Sequence, residues 1–184
     1  VIVYSISAKS GAGLNPLKFF KEAVPAMIFA FTSASSAATL PVSKECAEKM
    51  GADKNIAAFV LPLGATIHMD GTAIYQCVAT VFLATCAGVD LTLTQMIMVV
   101  AIATLSAIGT AGTPGAGVIM LTMVLTTLGI PVDYIGLIIA VDRLFDMGRT
   151  TMNITGDIVG SLCVTKWENG KLNNAGGESC GILY

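Results

Sequence analysis

The amino-acid sequence predicts an all-α integral membrane protein with two re-entrant helical hairpins and two broken transmembrane helices, arranged as an inverted repeat. Three observations predict this fold class. Only 12% of the 184 residues are charged and 54% are apolar, whereas a typical soluble domain is about 25% charged. Residues 91–132 form a run without any charge. Two apolar stretches are each interrupted by a segment of helix-breaking or small polar residues.

The composition also argues against several function classes. A net charge of −2 without a basic cluster argues against nucleic-acid binding. A single histidine, His68, excludes sites that need two histidine ligands, and the five cysteines include no Cys-x-x-Cys pair. We expect no organic cofactor, because the glycines of 109–117 follow no strand and lack the acidic partner of a dinucleotide fingerprint. We expect no enzyme, because Asp142 and Asp146 lack a nucleophile–base partnership.

The distribution of lysine predicts which segments face the cytoplasm. Lysines cluster in residues 9–21, 44–54 and 166–171, and positively charged loops stay on the cytoplasmic side of a membrane. Residues 1–16 are therefore interpreted as the end of a preceding transmembrane helix and a cytoplasmic loop. Residues 166–184 are interpreted as a cytoplasmic C-terminal tail. The abrupt apolar start predicts that an upstream membrane part is missing from the chain.

Two re-entrant hairpins are predicted, at residues 17–50 and 91–128. Each contains a tip that breaks the helix, at 32–41 in the first and at 109–117 in the second. Only eleven residues separate the second tip from the next Gly-Ile-Pro turn. Eleven helical residues reach about 17 Å, against about 30 Å for the hydrocarbon core. We therefore expect each hairpin to return to the side it left, the alternative being two ordinary loops at the membrane surface.

Each hairpin is followed by a predicted transmembrane helix, a broken one at residues 55–88 and an amphipathic one at 132–165. The lysine and aspartate distribution lets the first pair enter from the cytoplasm and the second from outside, which is typical of an inverted-topology transporter repeat. Non-helical backbone at membrane depth is tolerated only inside protein or beside a polar cavity. The two tips therefore predict a binding site between them.

One face of the last span carries polar residues at the spacing of successive helical turns. They are Asp142, Asp146, Arg149, Asn153 and Asp157. Arg149 can bind a carboxylate through two parallel hydrogen bonds, and Asp146 can bind an ammonium group. Asp157 and Asn153 offer oxygen ligands for an alkali cation. The alternative is that these groups pair only with one another and hold helices together.

The first span is interrupted at residues 64–72, where Asp70 stands beside Gly71 in an apolar segment. This pattern predicts unwound backbone whose carbonyl groups can bind a cation. His68 lies in the same segment. It is interpreted either as a buried histidine with satisfied hydrogen bonds or as a participant in cation or proton coupling.

Four motifs follow one another along the chain. They are Ser35-Ser36-Ala-Ala-Thr39-Leu40-Pro41, His68-Met69-Asp70-Gly71-Thr72-Ala73, the glycine-rich segment Gly109 to Gly117, and the segment Asp146 to Asp157. In this order they resemble the dicarboxylate/amino acid:cation symporters, the glutamate transporter family. The resemblance covers nearly the whole chain, corresponds to about the C-terminal half of a family member, and suggests a prokaryotic one. It implies a multi-pass plasma-membrane protein that forms a homotrimer through its upstream half.

The resemblance implies binding residues for an acidic amino acid and for sodium ions. The substrate-binding residues it implies are Ser35, Ser36, Thr72, Thr113, Pro114, Gly115, Ala116, Gly117, Asp146, Arg149, Thr150 and Asn153. The first cation set comprises Gly64, His68, Asn153 and Asp157. The second comprises Thr66, Ala107, Ile108 and Thr110, and the third Asp70 with the side chain at position 68. The second tip would act as an extracellular gate.

Three positions depart from the family pattern: His68 replaces an asparagine, Thr113 an aliphatic residue and Ala37 a serine. The clamp itself suggests the substrate. Arg149 favours a second carboxylate over a neutral side chain, whereas Asp146 repels a plain dicarboxylate and attracts an amino group. We therefore expect symport of aspartate or glutamate by alternating access, coupled to sodium or alternatively to protons. The alternatives are symport of a C4-dicarboxylate or a neutral amino acid, and a channel or transport-inactive sensor.

Overall fold

The computed structural model describes residues 1–172, which form helices and connecting turns without strands. A short helix α1 (Ile2–Ile6) continues into a π-helical turn (Ser7–Ala12). The other α-helices are α2 (Pro16–Ser33), α3 (Ser36–Lys49), α4 (Lys54–Ile67), α5 (Asp70–Cys86), α6 (Leu93–Ala107), α7 (Ala116–Thr127) and α8 (Gly136–Asn169). A 3-10 turn, Val132–Ile135, leads into α8. The all-helical prediction is confirmed for this part of the chain, and residues 173–184 of the predicted tail lie outside it.

Side-chain caps explain where several helices begin. Asn15, Asp53 and Thr92 accept backbone N–H hydrogen bonds at the first turns of α2, α4 and α6. Thr92 also forms a reciprocal capping box with Gln95. These caps satisfy N–H groups that the first turn of a helix leaves without a partner. They fix where each helix starts after a short connection.

The turn between α2 and α3 is shorter than the tip expected at 32–41. Only Ala34 and Ser35 are non-helical, because the Ser35 side chain caps α3 and the helix restarts at once. Pro41 lies inside α3. Ala34 has a left-handed backbone with φ of +50°, a conformation that costs a non-glycine residue about 1–2 kcal/mol. The first tip is thus a tight and strained turn.

The other two breaks differ in length. Helices α4 and α5 are separated only by His68 and Met69, fewer residues than the interruption expected at 64–72. Between α6 and α7, residues 108–115 are non-helical. Within this segment Gly115 has φ of +82°, which glycine adopts without steric cost. The long break allows backbone groups to reach neighbouring helices.

Helix α8 packs between two apolar clusters. Its C-terminal half buries Ile154, Ile158 and Leu162 against side chains of α1, α2, α3 and α4. Near its start, Ile138 packs against side chains of α5 and α7. The middle of α8 lies between the two clusters and carries the buried polar residues. Packing of the two apolar ends therefore positions the polar middle.

Much of the described surface is apolar. Large hydrophobic side chains are exposed on α1, α2 and α4 to α8, as expected for surfaces that contact lipid or further protein. By length and composition, one helical stretch in residues 1–172, Lys54–Cys86, could cross a membrane. Helices α6 and α7 are apolar but have only 15 and 12 residues. Trp167, the single tryptophan of the chain, is 86% exposed near the end of α8.

Candidate functional site

The polar face of α8 is buried. Asp142, Asp146, Arg149, Asn153 and Asp157 are each at most 7% exposed, although three of them are carboxylates. Thr150 on the same helix is also buried. Burial of so many polar groups is costly unless they find partners, and such groups mark functional sites in membrane proteins. These polar residues, which the sequence spaces at helical turns, thus lie on one buried face of α8.

Arg149 is held by two carboxylates and one aromatic ring. Its Nε and Nη2 each lie 3.0 Å from Oδ1 of Asp146, and Nη1 lies 3.7 Å from Oδ1 of Asp142. The guanidinium carbon is 4.5 Å from the centre of the Tyr75 ring, whose hydroxyl donates to Asp142 at 2.7 Å. Among the described residues, Nη1 of Arg149 is buried without a hydrogen-bond partner. The arrangement fixes the guanidinium but leaves one donor nitrogen available to an anion.

The second tip lies directly on this clamp. The backbone N–H of Gly115 donates to Oδ2 of Asp146 at 2.8 Å. A Cβ atom added to Gly117 would overlap the guanidinium of Arg149, so the backbone of α7 can approach this closely only without a side chain there. The tip therefore occupies one carboxylate oxygen and covers the guanidinium.

The first tip contacts the second. The carbonyl oxygen of Gly112 accepts hydrogen bonds from Oγ of Ser35 at 2.9 Å and from the backbone N–H of Ala37 at 3.2 Å. A Cβ atom at Gly112 would lie 3.2 Å from Cβ of Ser36 and 3.3 Å from the carbonyl oxygen of Ala65. The two tips thus meet beside the α4–α5 break.

A cavity of about 10 Å³ lies between the tips, the α4–α5 break and α8, which is room for roughly one water molecule. It is lined by the predicted residues Ser36, Thr72, Thr113, Ala116, Gly117, Asp146, Arg149, Thr150 and Asn153, and also by Ala34, Met69, Thr110, Ala111 and Gly112. Of the remaining predicted substrate residues, Ser35 and Gly115 bond to neighbouring elements and Pro114 does not line the cavity. Entry of an amino acid therefore requires movement of a tip.

Asn153 joins α8 to the start of α5. Its Oδ1 accepts the Gly71 N–H at 2.9 Å, and its Nδ2 lies 3.2 Å from Oγ1 of Thr72 and 3.1 Å from the sulfur of Met69. The amide thereby satisfies one of the N–H groups that the first turn of α5 leaves open. This side chain fixes the broken helix against α8.

The first predicted cation set surrounds Asp157. Its carboxylate packs against Gly64, where a Cβ atom would overlap Oδ1. Within residues 1–172 this buried Oδ1 accepts no hydrogen bond, which suits a cation ligand. However, Nδ1 of His68 lies 3.3 Å from this oxygen and 3.3 Å from the carbonyl oxygen of Asn153. The oxygens fit a cation, whereas the imidazole of His68 lies between two of them.

Members of the second set are also brought together, with protein partners of their own. The Gly109 N–H donates to the carbonyl oxygen of Thr66 at 2.8 Å, which joins the end of α4 to the segment after α6. The Thr110 N–H donates to the carbonyl oxygen of Ala107 at 3.0 Å, and Ile108 lies between these residues. Each carbonyl oxygen retains a second lone pair for a cation.

Asp70, of the third set, is bonded from a distant element. The hydroxyl of Tyr4 on α1 donates to its Oδ2, and the same hydroxyl lies 3.1 Å from the carbonyl oxygen of Met152. The Gly71 N–H donates to Oδ1 of Asp70 at 2.8 Å. Tyr4 thus joins α1, the start of α5 and α8.

Comparison with known proteins identifies the family. A sequence model of the sodium:dicarboxylate symporter family matches residues 1–167. The chain belongs to the sodium:dicarboxylate symporter family. Its members are transporters, and the family membership agrees with the polar membrane-depth site predicted from the sequence.

Three similar proteins of the symporter family come from animals. The chain is 44% identical over 160 residues to an excitatory amino acid transporter of Caenorhabditis elegans, covering 86% of this chain and 32% of the relative. It is 46% identical over 153 residues to excitatory amino acid transporter 3 of Mus musculus, covering 83% and 29%. It is 46% identical over 148 residues to excitatory amino acid transporter 2 of Homo sapiens, covering 80% and 26%.

Two facts follow from these matches. The chain spans about a third or less of the length of these relatives. The expectation of a prokaryotic family member is not borne out, because nematode and mammalian symporters match over most of the chain. That expectation was based on Pro114-Gly-Ala-Gly117, which is a few residues of the second tip, and glycine or proline in a tip reflects backbone conformation rather than origin.

Some contacts of the candidate site were not predicted from the sequence. Tyr75 and Tyr4 were missed, although their hydroxyl groups donate to the carboxylates of Asp142 and Asp70. Tyr75 stands three residues after Thr72, which places both on one helical face and would have been a usable signal. Tyr4 offers no such signal, because its partner Asp70 lies 66 residues away.

Proposed function

We propose that this chain forms the substrate- and cation-binding core of a sodium-coupled symporter for aspartate or glutamate. The observation that carries the proposal is the buried Arg149, which is fixed by Asp146 and Asp142 and whose Nη1 has no hydrogen-bond partner among residues 1–172. A guanidinium in that state is suited to a carboxylate, because charge-assisted hydrogen bonds are strong and specific. Three of the relatives carry names of excitatory amino acid transporters.

The pairing of Arg149 with Asp146 supports an amino acid that has a second carboxylate. Arg149 binds the side-chain carboxylate of the substrate. Asp146 binds its ammonium group once Oδ2 is released from the Gly115 N–H. A plain dicarboxylate would face the charge of Asp146, and a neutral amino acid would leave Arg149 without a counter-charge. Both clamp residues are therefore used only by an acidic amino acid.

The gate proposed for this symporter is the segment 109–117. Its contact with Asp146 through Gly115 and its cover over Arg149 through Gly117 support this role. Because the cavity is about 10 Å³, binding requires this segment to withdraw and closing requires it to return. The substrate is then enclosed before the substrate-bound core opens to the other side of the membrane.

Sodium would supply positive charge to the carboxylate and carbonyl oxygens of the predicted cation sets. The oxygens of Asp157, Asp70 and the second carbonyl set would hold it, and Oδ1 of Asp157, which is buried and accepts no hydrogen bond within residues 1–172, supports this assignment. A relative of Caenorhabditis elegans with 41% identity is named a putative sodium-dependent excitatory amino acid transporter.

The membrane arrangement proposed for this core is two re-entrant hairpins, formed by α2–α3 and α6–α7, in an inverted repeat. The 12 residues of α7 extend about 18 Å, too short for the hydrocarbon core, which supports re-entry from one side. The complete protein would be a multi-pass plasma-membrane protein and a homotrimer through the part upstream of this core.

The proposal is tested with the full-length protein that carries this chain, reconstituted in liposomes with a sodium gradient. Uptake of labelled L-aspartate should accumulate against its gradient, and Arg149→Ala should lower aspartate affinity about 100-fold or more, because a buried charge pair loses one partner. Arg143→Ala, an exposed arginine on the same helix, is the matched control and should retain affinity. Unchanged affinity in Arg149→Ala would contradict the clamp.

Asp146→Asn distinguishes the alternative substrates. It should weaken aspartate binding strongly, because the ammonium group loses its counter-charge. Binding of succinate by the wild type, unaffected by this change, would instead indicate a dicarboxylate symporter. Uptake of alanine in preference to aspartate would indicate a neutral amino acid symporter. Flux that only runs down its gradient would indicate a channel.

A further inference from the structure

We propose that the imidazole of His68 competes with a sodium ion for the first cation set, so that the ion binds there only when the ring turns away. This inference rests on the proposed function and names a residue that determines the cation affinity of that site. The observation behind it is that Nδ1 of His68 lies between the Asn153 carbonyl oxygen and Oδ1 of Asp157, two predicted ligands of the first cation set.

Nδ1 of His68 is 3.3 Å from the carbonyl oxygen of Asn153 and 3.3 Å from Oδ1 of Asp157. A cation held by both oxygens must lie within reach of both, which is the space around this nitrogen. The ring nitrogen is thus at hydrogen-bond distance from the Asn153 carbonyl and at ion-pair distance from the Asp157 carboxylate. The ring therefore contacts both oxygens and fills the space that the cation would need.

Two glycines make room for this arrangement. A Cβ atom at Gly156 would overlap the His68 ring, and a Cβ atom at Gly64 would overlap Oδ1 of Asp157. The ring therefore lies directly on the backbone of α8, one residue before Asp157. Such close packing is specific to this ring orientation, because any side chain at Gly156 would exclude it.

The ring is able to leave this position. The His68 side chain is 40% exposed and belongs to the two-residue break between α4 and α5, outside both helices. Within residues 1–172 no lysine or arginine forms an ion pair with Asp157, and the guanidinium of Arg149 is held by Asp146. When the ring leaves, the buried Oδ1 of Asp157 loses this contact, and a sodium ion would satisfy it.

The test measures sodium binding without transport. The full-length protein and its His68→Asn and His68→Ala variants are titrated with sodium chloride at constant ionic strength against choline chloride, with no amino acid present. The readout is the shift of the thermal unfolding midpoint, taken relative to each protein's own sodium-free value. Ile67→Val, an exposed neighbour at the end of α4, is the matched control.

Both His68 variants should reach half of their sodium-induced shift at a sodium concentration about fivefold lower than the wild type, since no hydrogen bond to Asn153 has to be broken first. Ile67→Val should match the wild type. His68→Ala tests the same point if the asparagine variant unfolds. An unchanged or higher half-saturating concentration in the variants would overturn the proposal.

The control measurement separates this inference from the proposed function. Sodium-driven aspartate uptake by the wild type, together with an unchanged sodium midpoint in the variants, leaves the proposed function standing and overturns the role of His68. A wild type with neither a sodium-induced shift nor aspartate uptake contradicts the proposed function, and the inference falls with it.

Discussion

At the residue scale, the site depends on positions where a side chain is absent as much as on charged ones. Gly117 lets the backbone of α7 contact the guanidinium of Arg149, and Gly64 does the same for the carboxylate of Asp157. Two ionised groups are therefore packed against backbone, which leaves them few alternative rotamers. A methyl group at either glycine would move a charge.

Gly117→Ala should lower the affinity for aspartate at least about tenfold, because the added Cβ overlaps the guanidinium proposed to bind the substrate carboxylate. Gly148→Ala is the matched control, since a Cβ there meets no atom within 4 Å and alanine favours a helix by up to about 1 kcal/mol. Isothermal titration of the full-length protein checks both. Equal affinities in the two variants would contradict the contact between α7 and the clamp.

At the element scale, one serine has two functions at the first tip. Ser35 accepts the Ala38 N–H as the N-cap of α3 and donates to the carbonyl oxygen of Gly112 in the second tip. Asn15 is a cap of the same kind at α2, where its side chain accepts the Leu17 N–H, but it is exposed. The two caps therefore differ in burial and in the bond between the tips.

Ser35→Ala should destabilise the full-length protein more than Asn15→Ala. A lost N-cap costs about 1 kcal/mol in each, and the serine variant also removes the hydrogen bond to the carbonyl oxygen of Gly112 in the second tip. Thermal unfolding of both variants checks this order, and aspartate uptake should fall only for Ser35→Ala. A larger loss of stability in Asn15→Ala would show that the bond between the tips is unimportant.

The sequence was sufficient for features that depend on local spacing. Asp142, Asp146, Arg149 and Asp157 share a buried face because a helix returns to the same side every three to four residues. The predicted lengths of the helix breaks were less accurate. At the first tip, for example, the Ser35 side chain caps α3, and the helix begins at the next residue. Contacts between distant segments were not predictable, because they depend on how whole helices pack rather than on the residues beside them.

At the scale of the whole molecule, the contact between the two tips joins the first half of the chain to the second. Helices α2 and α3 belong to the first half, α6 and α7 to the second, and they meet through Gly112. Since α8 packs against both halves, the polar site lies where all of them converge. Separation of the tips would therefore open the site directly.

A disulfide between the tips should stop transport. In a variant without the native cysteines, Ser36→Cys with Gly112→Cys places two Cβ atoms about 3.2 Å apart, close to the 3.5–4.5 Å of a disulfide. Oxidation should abolish aspartate uptake, because the 109–117 segment is fixed, and reduction should restore it. Each single cysteine variant is the control. Full uptake in the oxidised double variant would contradict movement between the tips.

The exposed Trp167 gives this chain a built-in fluorescent reporter. It lies ten residues beyond Asp157 on the same unbroken helix, about 15 Å along the axis. Because the chain contains one tryptophan, its emission comes from a single known point on the helix that carries the candidate site. Quenchers attached to lipid headgroups or to acyl chains would therefore report the depth of that helix end, and the proposed movement of α8 would change the quenching.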